Sequence, residues 1–121
     1  MVFLEKEPGF EKIQDIFLSA VEKDNPLLMT SVNYGEVLYI ILRECGQERT
    51  DEVERSVRTM PIEIIAVDID LAREAAHFKA FKKLSFADCF AAALARQQKA
   101  ELITGDKEFR ALEGSINIHW I

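Results

Sequence analysis

The 121-residue sequence predicts a single layered α/β domain with a mostly parallel central sheet. Three observations support this prediction. Short apolar runs of strand type alternate along the chain with longer segments of helical periodicity. The apolar runs are hydrophobic at consecutive positions, as expected for parallel strands that helices cover on both faces. The length suits one ordinary domain, and a chain that is 49% hydrophobic and 30% charged can bury a core of its own.

Helices and strands are expected to alternate along most of the chain. The first helix follows the break at Pro8-Gly9 and covers residues 10–23, and a turn at residues 24–26 follows it. The other helices are expected over residues 32–44, 50–59, 70–83 and 85–99, with a helical turn at residues 107–111. The strands are expected over residues 27–30, 62–67, 102–104 and 116–121.

Several helix ends carry recognisable signals. Ser31 is placed to cap the helix over residues 32–44, and Gly46 is placed to end it. Ser85 and Asp88 form a Ser-x-x-Asp capping pattern before an apolar run, which indicates a helix start. In the helix over residues 70–83, the positions expected to face inward are Leu71, Ala75, Phe78 and Phe81.

Composition excludes several classes of protein. A net charge of −6 argues against nucleic-acid binding by bulk charge, and no apolar run approaches the roughly 18–20 residues of a membrane span. Glu5, Lys6 and Glu7 interrupt the N-terminus where a signal peptide would be apolar. Cys45 and Cys89 are too few for a disulfide scaffold and lack zinc-ligand spacing. We therefore expect buried free thiols in a protein of the reducing cytoplasm.

Three acids are the candidate functional residues, and each also has a purely structural interpretation. Glu36 lies near the start of a helix that is apolar almost all round, where the helix dipole alone would favour it. Asp88 completes the capping pattern described above, although the small apolar residues after it predict close packing. Asp106 follows a strand, at the edge where parallel sheets bind ligands, and it could equally be a turn or N-cap residue.

Considered together, the three acids predict a metal site. Glu36, Asp88 and Asp106 each lie at a helix start beside a strand end, so their carboxylates can converge and should be close enough to share one cation. Without a cation their charges would repel, and hard oxygen ligands select Mg²⁺ or Mn²⁺. Such an ion activates water and stabilises charge on a phosphoryl group. His77 and His119 are not expected to take part, and no glycine-rich phosphate loop is present.

Three segments carry a resemblance to a known family. They are residues 31–46 with Glu36, the run LSFADCFAAALARQQKAELITGDKEF of residues 84–109, and the closing INIHWI. With LEKEPGFEKI near the start, they resemble the PIN-domain nucleases, and among these the VapC-type toxins of toxin–antitoxin pairs. The most specific part is the Ala-rich helix and LITGD strand that place Asp106 eighteen residues after Asp88.

The resemblance implies a Mg²⁺-dependent endoribonuclease that is usually dimeric and is inhibited by a small antitoxin whose tail enters the site. Glu36, Asp88 and Asp106 match three of the family's catalytic, metal-binding acids. Thr104 matches the usual Ser/Thr beside the last acid, and Glu108 matches a less regular outer acid. A homodimer is also expected because apolar helical positions exceed what one small domain covers, namely Tyr34, Leu38, Tyr39 and Leu42.

The sequence departs from the family at its beginning. PIN domains start with a central strand that ends in an aspartate, and this chain starts at Met1, after that point. We therefore expect the single domain of residues 1–121 to lack the family's first strand and first acid. The strands over residues 27–30 and 102–104 should then close on each other, or a second copy or a partner should fill the gap.

Three functions remain open on the sequence. The first is a metal-dependent ribonuclease acting as a toxin. The second is a catalytically impaired PIN-like binding module that dimerises or sequesters an antitoxin, and the missing first acid is the feature that separates the two. The third is another acid-cluster α/β protein such as a phosphatase, which would need a nucleophilic aspartate in a strand-end loop. No such aspartate stands out.

Overall fold

A computed structural model describes residues 2–3, 18–19, 21–23 and 26–121 of the chain. The described residues form one sheet of five strands, all paired in parallel, in the spatial order β3-β2-β1-β4-β5. The strands are β1 (Val2–Phe3), β2 (Leu27–Thr30), β3 (Ile62–Ile65), β4 (Leu102–Thr104) and β5 (Ile118–Trp120). The predicted α/β class with a parallel sheet is therefore confirmed.

Four α-helices and one 3₁₀-helix connect the strands within the described residues. They are α1 (Ser31–Cys45), α2 (Gln47–Val57), α3 (Ile69–Phe81), α4 (Phe86–Gln97) and a 3₁₀-helix (Lys107–Leu112). Their bounds differ from those expected by at most three residues. For the helix expected over residues 10–23, residues 18–19 and 21–22 are helical, and most of the rest lies outside the described residues.

The start of α1 differs from the expectation in its capping residue. Thr30, not Ser31, is the N-cap, because the Thr30 hydroxyl accepts a hydrogen bond from the Asn33 N–H at 3.0 Å. The Ser31 hydroxyl instead accepts from the Val67 N–H at 3.2 Å and ties the start of α1 to the chain leaving β3. Gly46, with a φ of 87°, ends the helix as predicted, since glycine adopts this backbone region without steric cost.

The central position of the sheet is occupied by the chain's own residues. Val2 is in register with Leu28 of β2 and Leu102 of β4, and Phe3 is in register with Ile103. The expectation of a vacant central position, closed by the neighbouring strands or by another chain, is thereby corrected. Two residues are enough to place β1 between β2 and β4 and so to separate the two strands whose carboxyl ends lead into α1 and the 3₁₀-helix.

The core is built around α4. Every residue from Asp88 to Ala95 is buried, and the four alanines among them allow close approach to the sheet. On α3, Leu71, Ala75 and Phe78 are buried as predicted and belong to the same core cluster. Phe81 is 80% exposed, so its predicted inward orientation is wrong. It is the last residue of α3, beyond the reach of the core that the earlier turns contact.

Both cysteines are free, but only one is buried. Cys45 is exposed at the C-terminal end of α1, so the expectation of two buried thiols is wrong there. Cys89 is buried in α4, and burial raises the pKa of its thiol, an effect that Lys79 opposes and Asp88 reinforces. The Cys89 thiol is therefore neutral near pH 7 and acts as a small apolar core group. Among the described residues, no helix has the length and apolar character needed to cross a membrane.

Candidate metal centre

The site forms where the parallel strands end. Thr30 ends β2 and leads directly into α1, and Thr104 ends β4 and leads through two residues into the 3₁₀-helix. Both threonines are buried. Because parallel strands end on the same side, the residues after Thr30 and Thr104 reach one edge of the sheet, where α/β proteins bind ligands.

Asp88 is the buried member of the site. It lies in the first turn of α4 and is 1% exposed. The capping interpretation from the sequence holds for the backbone, since the Ser85 hydroxyl accepts from the Asp88 N–H at 3.2 Å. The same placement puts the Asp88 carboxylate at the positive end of the helix dipole, which favours a negative charge there. Its structural role as a helix start and its candidate role in the site are therefore compatible.

Asp106 is held by two hydrogen bonds. Its N–H donates to the Thr104 hydroxyl at 3.0 Å, and its Oδ1 accepts from the Glu108 N–H at 2.9 Å. Asp106 is thus the N-cap of the 3₁₀-helix, as its structural interpretation predicted. Thr104, which the sequence suggested as an outer residue, fixes the Asp106 backbone. Together these bonds orient Asp106 and bring Glu108, two residues later, into the site.

The structure brings three carboxylates together. One oxygen each from Asp88, Asp106 and Glu108 can be chosen so that all three lie within 4.8 Å of one another. Oxygen ligands bind Mg²⁺ or Ca²⁺ at roughly 2.0–2.6 Å, so atoms separated by this distance can share one cation. Burial falls from Asp88 through the half-buried Asp106 to the exposed Glu108, so the cluster opens to solvent on one side. The donor set therefore fits a hard divalent cation.

Glu36 is not a member of this cluster, whereas Glu108, expected only as an outer acid, is. Glu36 is half-buried on α1, and α1 packs against α4 near the start of both helices. It lies one helical turn after Asn33, whose side chain reaches the first turn of α4. The participation of Glu36 in metal binding remains a prediction.

The two histidines and Asn33 are placed differently relative to the site. Neither histidine belongs to the carboxylate cluster; His119 lies on the edge strand β5, and its Nδ1 atom is 3.9 Å from the Glu101 carboxylate. Asn33 was missed by the sequence analysis, although it is buried between α1 and α4. No local sequence pattern indicated this role, because the partner of Asn33 on α4 is a backbone carbonyl.

The fold and this edge cluster define a PIN domain. The family model for the PIN domain matches residues 1–115, and the chain belongs to that family. The resemblance found in the sequence is thereby confirmed. A search of curated protein sequences found no match.

Solved structures show the same fold at low sequence identity. DNA-bound VapBC from Salmonella typhimurium is 17% identical, with a TM-score of 0.76 over 98% of this chain and 97% of that chain. VapBC2 from Rickettsia felis, bound to a promoter DNA fragment, is 17% identical, with a TM-score of 0.74 over 100% and 99%. VapC20 from Mycobacterium tuberculosis, a sarcin–ricin loop cleaving toxin, is 17% identical, with a TM-score of 0.64 over 96% of both chains.

Proposed function

We propose that this chain is a metal-dependent endoribonuclease that acts as the toxin of a VapBC-type toxin–antitoxin pair. The observation that carries the proposal is the cluster of Asp88, Asp106 and Glu108 at the carboxyl edge of a parallel sheet. Family membership supports nuclease chemistry, and the RNA-cleaving VapC20 neighbour supports RNA as the substrate. The VapBC complexes among the neighbours support a cognate antitoxin as partner, and we place the pair in the cytoplasm.

Asp88, Asp106 and Glu108 would hold Mg²⁺ or Mn²⁺, and Glu36 on α1 would be a further metal-binding and catalytic acid. When bound, the ion supplies a Lewis acid that activates water and offsets charge on the phosphodiester. The chain's own contribution is orientation: the Thr104 hydroxyl and the Glu108 N–H fix Asp106, and burial fixes Asp88. Three carboxylates in a chain of net charge −6 repel a phosphate, so RNA binding at this edge requires a cation.

We expect cleavage to depend strictly on a divalent cation. The full chain, incubated with single-stranded RNA and Mg²⁺ or Mn²⁺, should cut it, and EDTA should abolish the cleavage because the carboxylates alone cannot attract the phosphodiester. Gel analysis of end-labelled RNA measures this. Restoring cleavage with Mn²⁺ after chelation is the control for irreversible damage. Undiminished cutting in EDTA would contradict the proposal.

The same assay addresses the alternative, a PIN-fold binding module that dimerises or sequesters an antitoxin. The observation that favours it is the position of Glu36, which matches one of the family's catalytic acids, outside the close cluster. A chain that binds a VapB-type antitoxin tightly, and Mn²⁺ detectably, but leaves RNA intact would support the binding module. Cleavage that the antitoxin suppresses supports the toxin.

The homodimer is part of the proposal, and α1 offers the surface for it. Tyr39 and Leu42 are exposed on α1, and Leu38, one turn before Leu42, is half-buried. Two large apolar side chains one turn apart on an open helix face are typical of an interface. Light scattering at micromolar concentration should give twice the 13.8 kDa chain mass, and Leu42→Glu should give the monomer mass. A monomeric unmodified chain would contradict the dimer.

Tyr34, the fourth residue expected at this surface, is half-buried on α1. Burial raises the pKa of the Tyr34 phenol, Glu54 raises it further, and Arg58 opposes both. Glu54 belongs to α2 and Arg58 directly follows it, so the phenol lies within electrostatic range of the second helix of the same chain. We therefore leave Tyr34 out of the proposed dimer interface, which consists of Leu38, Tyr39 and Leu42.

A further inference from the structure

A buried amide ties the helix that bears Glu36 to the helix that bears Asp88. Asn33 is 2% exposed, and its Nδ2 donates to the Ala87 carbonyl at 2.9 Å, across 54 positions of sequence. The Asn33 Oδ1 accepts from the Thr30 hydroxyl at 2.6 Å. The Thr30 hydroxyl in turn accepts from the Asn33 N–H at 3.0 Å. Both ends of the amide are therefore engaged.

The cap of α1 does not require this arrangement. Thr30 alone satisfies the free N–H group of Asn33, so α1 could begin in the same way with an apolar residue at position 33. An amide in a buried site is costly unless both its donor and its acceptor are paired. Here the pairing extends to a carbonyl of a different helix. The bond to Ala87 therefore fixes α1 relative to α4, in addition to starting α1.

The two anchored points lie beside the two acids. Ala87 immediately precedes Asp88, and Asn33 precedes Glu36 by three residues, which places Asn33 and Glu36 on neighbouring turns of one helix face. One hydrogen bond between these turns sets the height and rotation of α1 against α4. Side-chain hydrogen bonds of this kind are directional, unlike apolar contacts, and so define a single register.

We propose that Asn33 is a positioning residue that sets Glu36 against the cluster of Asp88, Asp106 and Glu108. This inference rests on the proposed function, because it assigns Asn33 a role in the same metal site. Asn33 acts through Ala87 and the helix starts and does not touch the metal. Removal of such an outer partner typically weakens metal affinity or activity by about 10–100-fold.

The test is a titration of the full chain with Mn²⁺ alone, followed by calorimetry or electron paramagnetic resonance, for the unmodified protein and two variants. Asn33→Ala removes both side-chain bonds, and we expect Mn²⁺ to bind about 10–100-fold more weakly. Asn33→Asp has nearly the same shape and loses the donor to Ala87. An added carboxylate would by itself attract a cation, so weaker binding by Asn33→Asp cannot arise from charge.

Thr50→Val is the matched control for a general loss of stability. Thr50 is also buried, and its hydroxyl donates to the Gly46 carbonyl at 2.9 Å, on a helix that carries none of the candidate acids. We expect Thr50→Val to lower the melting temperature but to leave Mn²⁺ affinity within about twofold. In RNA cleavage measured at saturating Mn²⁺, the Asn33 variants should lose kcat while KM for RNA stays constant, and Thr50→Val should retain both.

The outcomes separate this inference from the proposed function. If the unmodified chain binds Mn²⁺ and cuts RNA, and folded Asn33 variants bind Mn²⁺ as tightly, Asn33 has only a structural role and the inference is overturned. If Asn33→Ala does not fold, the same comparison is made with Asn33→Asp. If the unmodified chain neither binds Mn²⁺ nor cuts RNA, the proposed function fails, and this inference fails with it.

Discussion

Asp88→Asn and Asp106→Asn should each reduce RNA cleavage by at least about 100-fold, the upper end of the loss when only an outer partner of a metal ligand is removed. Asparagine keeps the shape of the side chain but removes the charge that a hard cation requires. Folding should change little, because the metal-free cluster loses a repelling charge, while Asp88→Asn also loses the favourable interaction with the helix dipole. We therefore expect metal-free melting temperatures close to that of the unmodified chain, together with a lost stabilisation by Mn²⁺.

Asp70→Asn is the matched control for this pair. Asp70 lies in the first turn of α3, its side chain is 75% exposed, and its ion pair with Arg73 is on the surface. The substitution makes the same chemical change and alters the net charge by the same amount, so cleavage should stay within about twofold. Cleavage that falls equally in all three variants would point to net charge rather than to a metal site.

Phe109→Ala should produce the largest loss of stability. Phe109 is fully buried, belongs to the core cluster, and follows Glu108 directly in the 3₁₀-helix. Truncation of a buried phenylalanine costs about 3–5 kcal/mol, against a total of about 5–15 kcal/mol for a domain. The melting temperature should fall by roughly 10–20 °C. Calorimetry or circular dichroism measures this change.

Phe81→Ala is the control that shows whether stability is lost because the ring was buried or simply because an aromatic ring was removed. Phe81 is exposed at the end of α3, so the same truncation should change stability by less than about 0.5 kcal/mol. Phe109→Ala should also disturb the metal site, because Phe109 anchors the turn that carries Asp106 and Glu108. Mn²⁺ affinity should therefore fall in folded Phe109→Ala and stay unchanged in Phe81→Ala. Equal stability of the two variants would contradict the described core.

Much of the fold follows from local patterns in the sequence. The apolar runs of β2 and β4 and the helical periodicity of α4 predict their elements well, because these patterns reflect which residues are buried. The capping role of Ser85 was also predictable, since the pattern fixes the helix start through a bond between neighbours. Thr30 took the capping role expected of Ser31 because α1 begins one residue earlier than expected, directly after β2.

Features that depend on distant parts of the chain were not predictable in the same way. Helical periodicity placed Phe81 inward, but whether a core exists opposite the last turn of α3 is a property of the whole fold. The position of β1 in the sheet centre depends on pairing with two strands far along the chain, and a two-residue segment carries no periodic signal of its own.

The candidate site was predicted in part for the same reason. Asp88 and Asp106 follow from their places at a helix start and a strand end, which local patterns define. Whether Glu108 joins the carboxylate cluster depends on how tightly the chain turns after Asp106. The hydrogen bond from the Glu108 N–H to Asp106 sets that turn. Asn33 was missed because its partner, Ala87, is a backbone carbonyl with no sequence signature.

The most direct test of the central claim is the position of Mn²⁺ in crystals of the full chain grown at saturating Mn²⁺, located by its anomalous scattering. The account predicts one ion bound by carboxylate oxygens of Asp88, Asp106 and Glu108, with each metal–oxygen distance at roughly 2.0–2.6 Å. A well-ordered structure at saturating Mn²⁺ with no ion among these three side chains would contradict it.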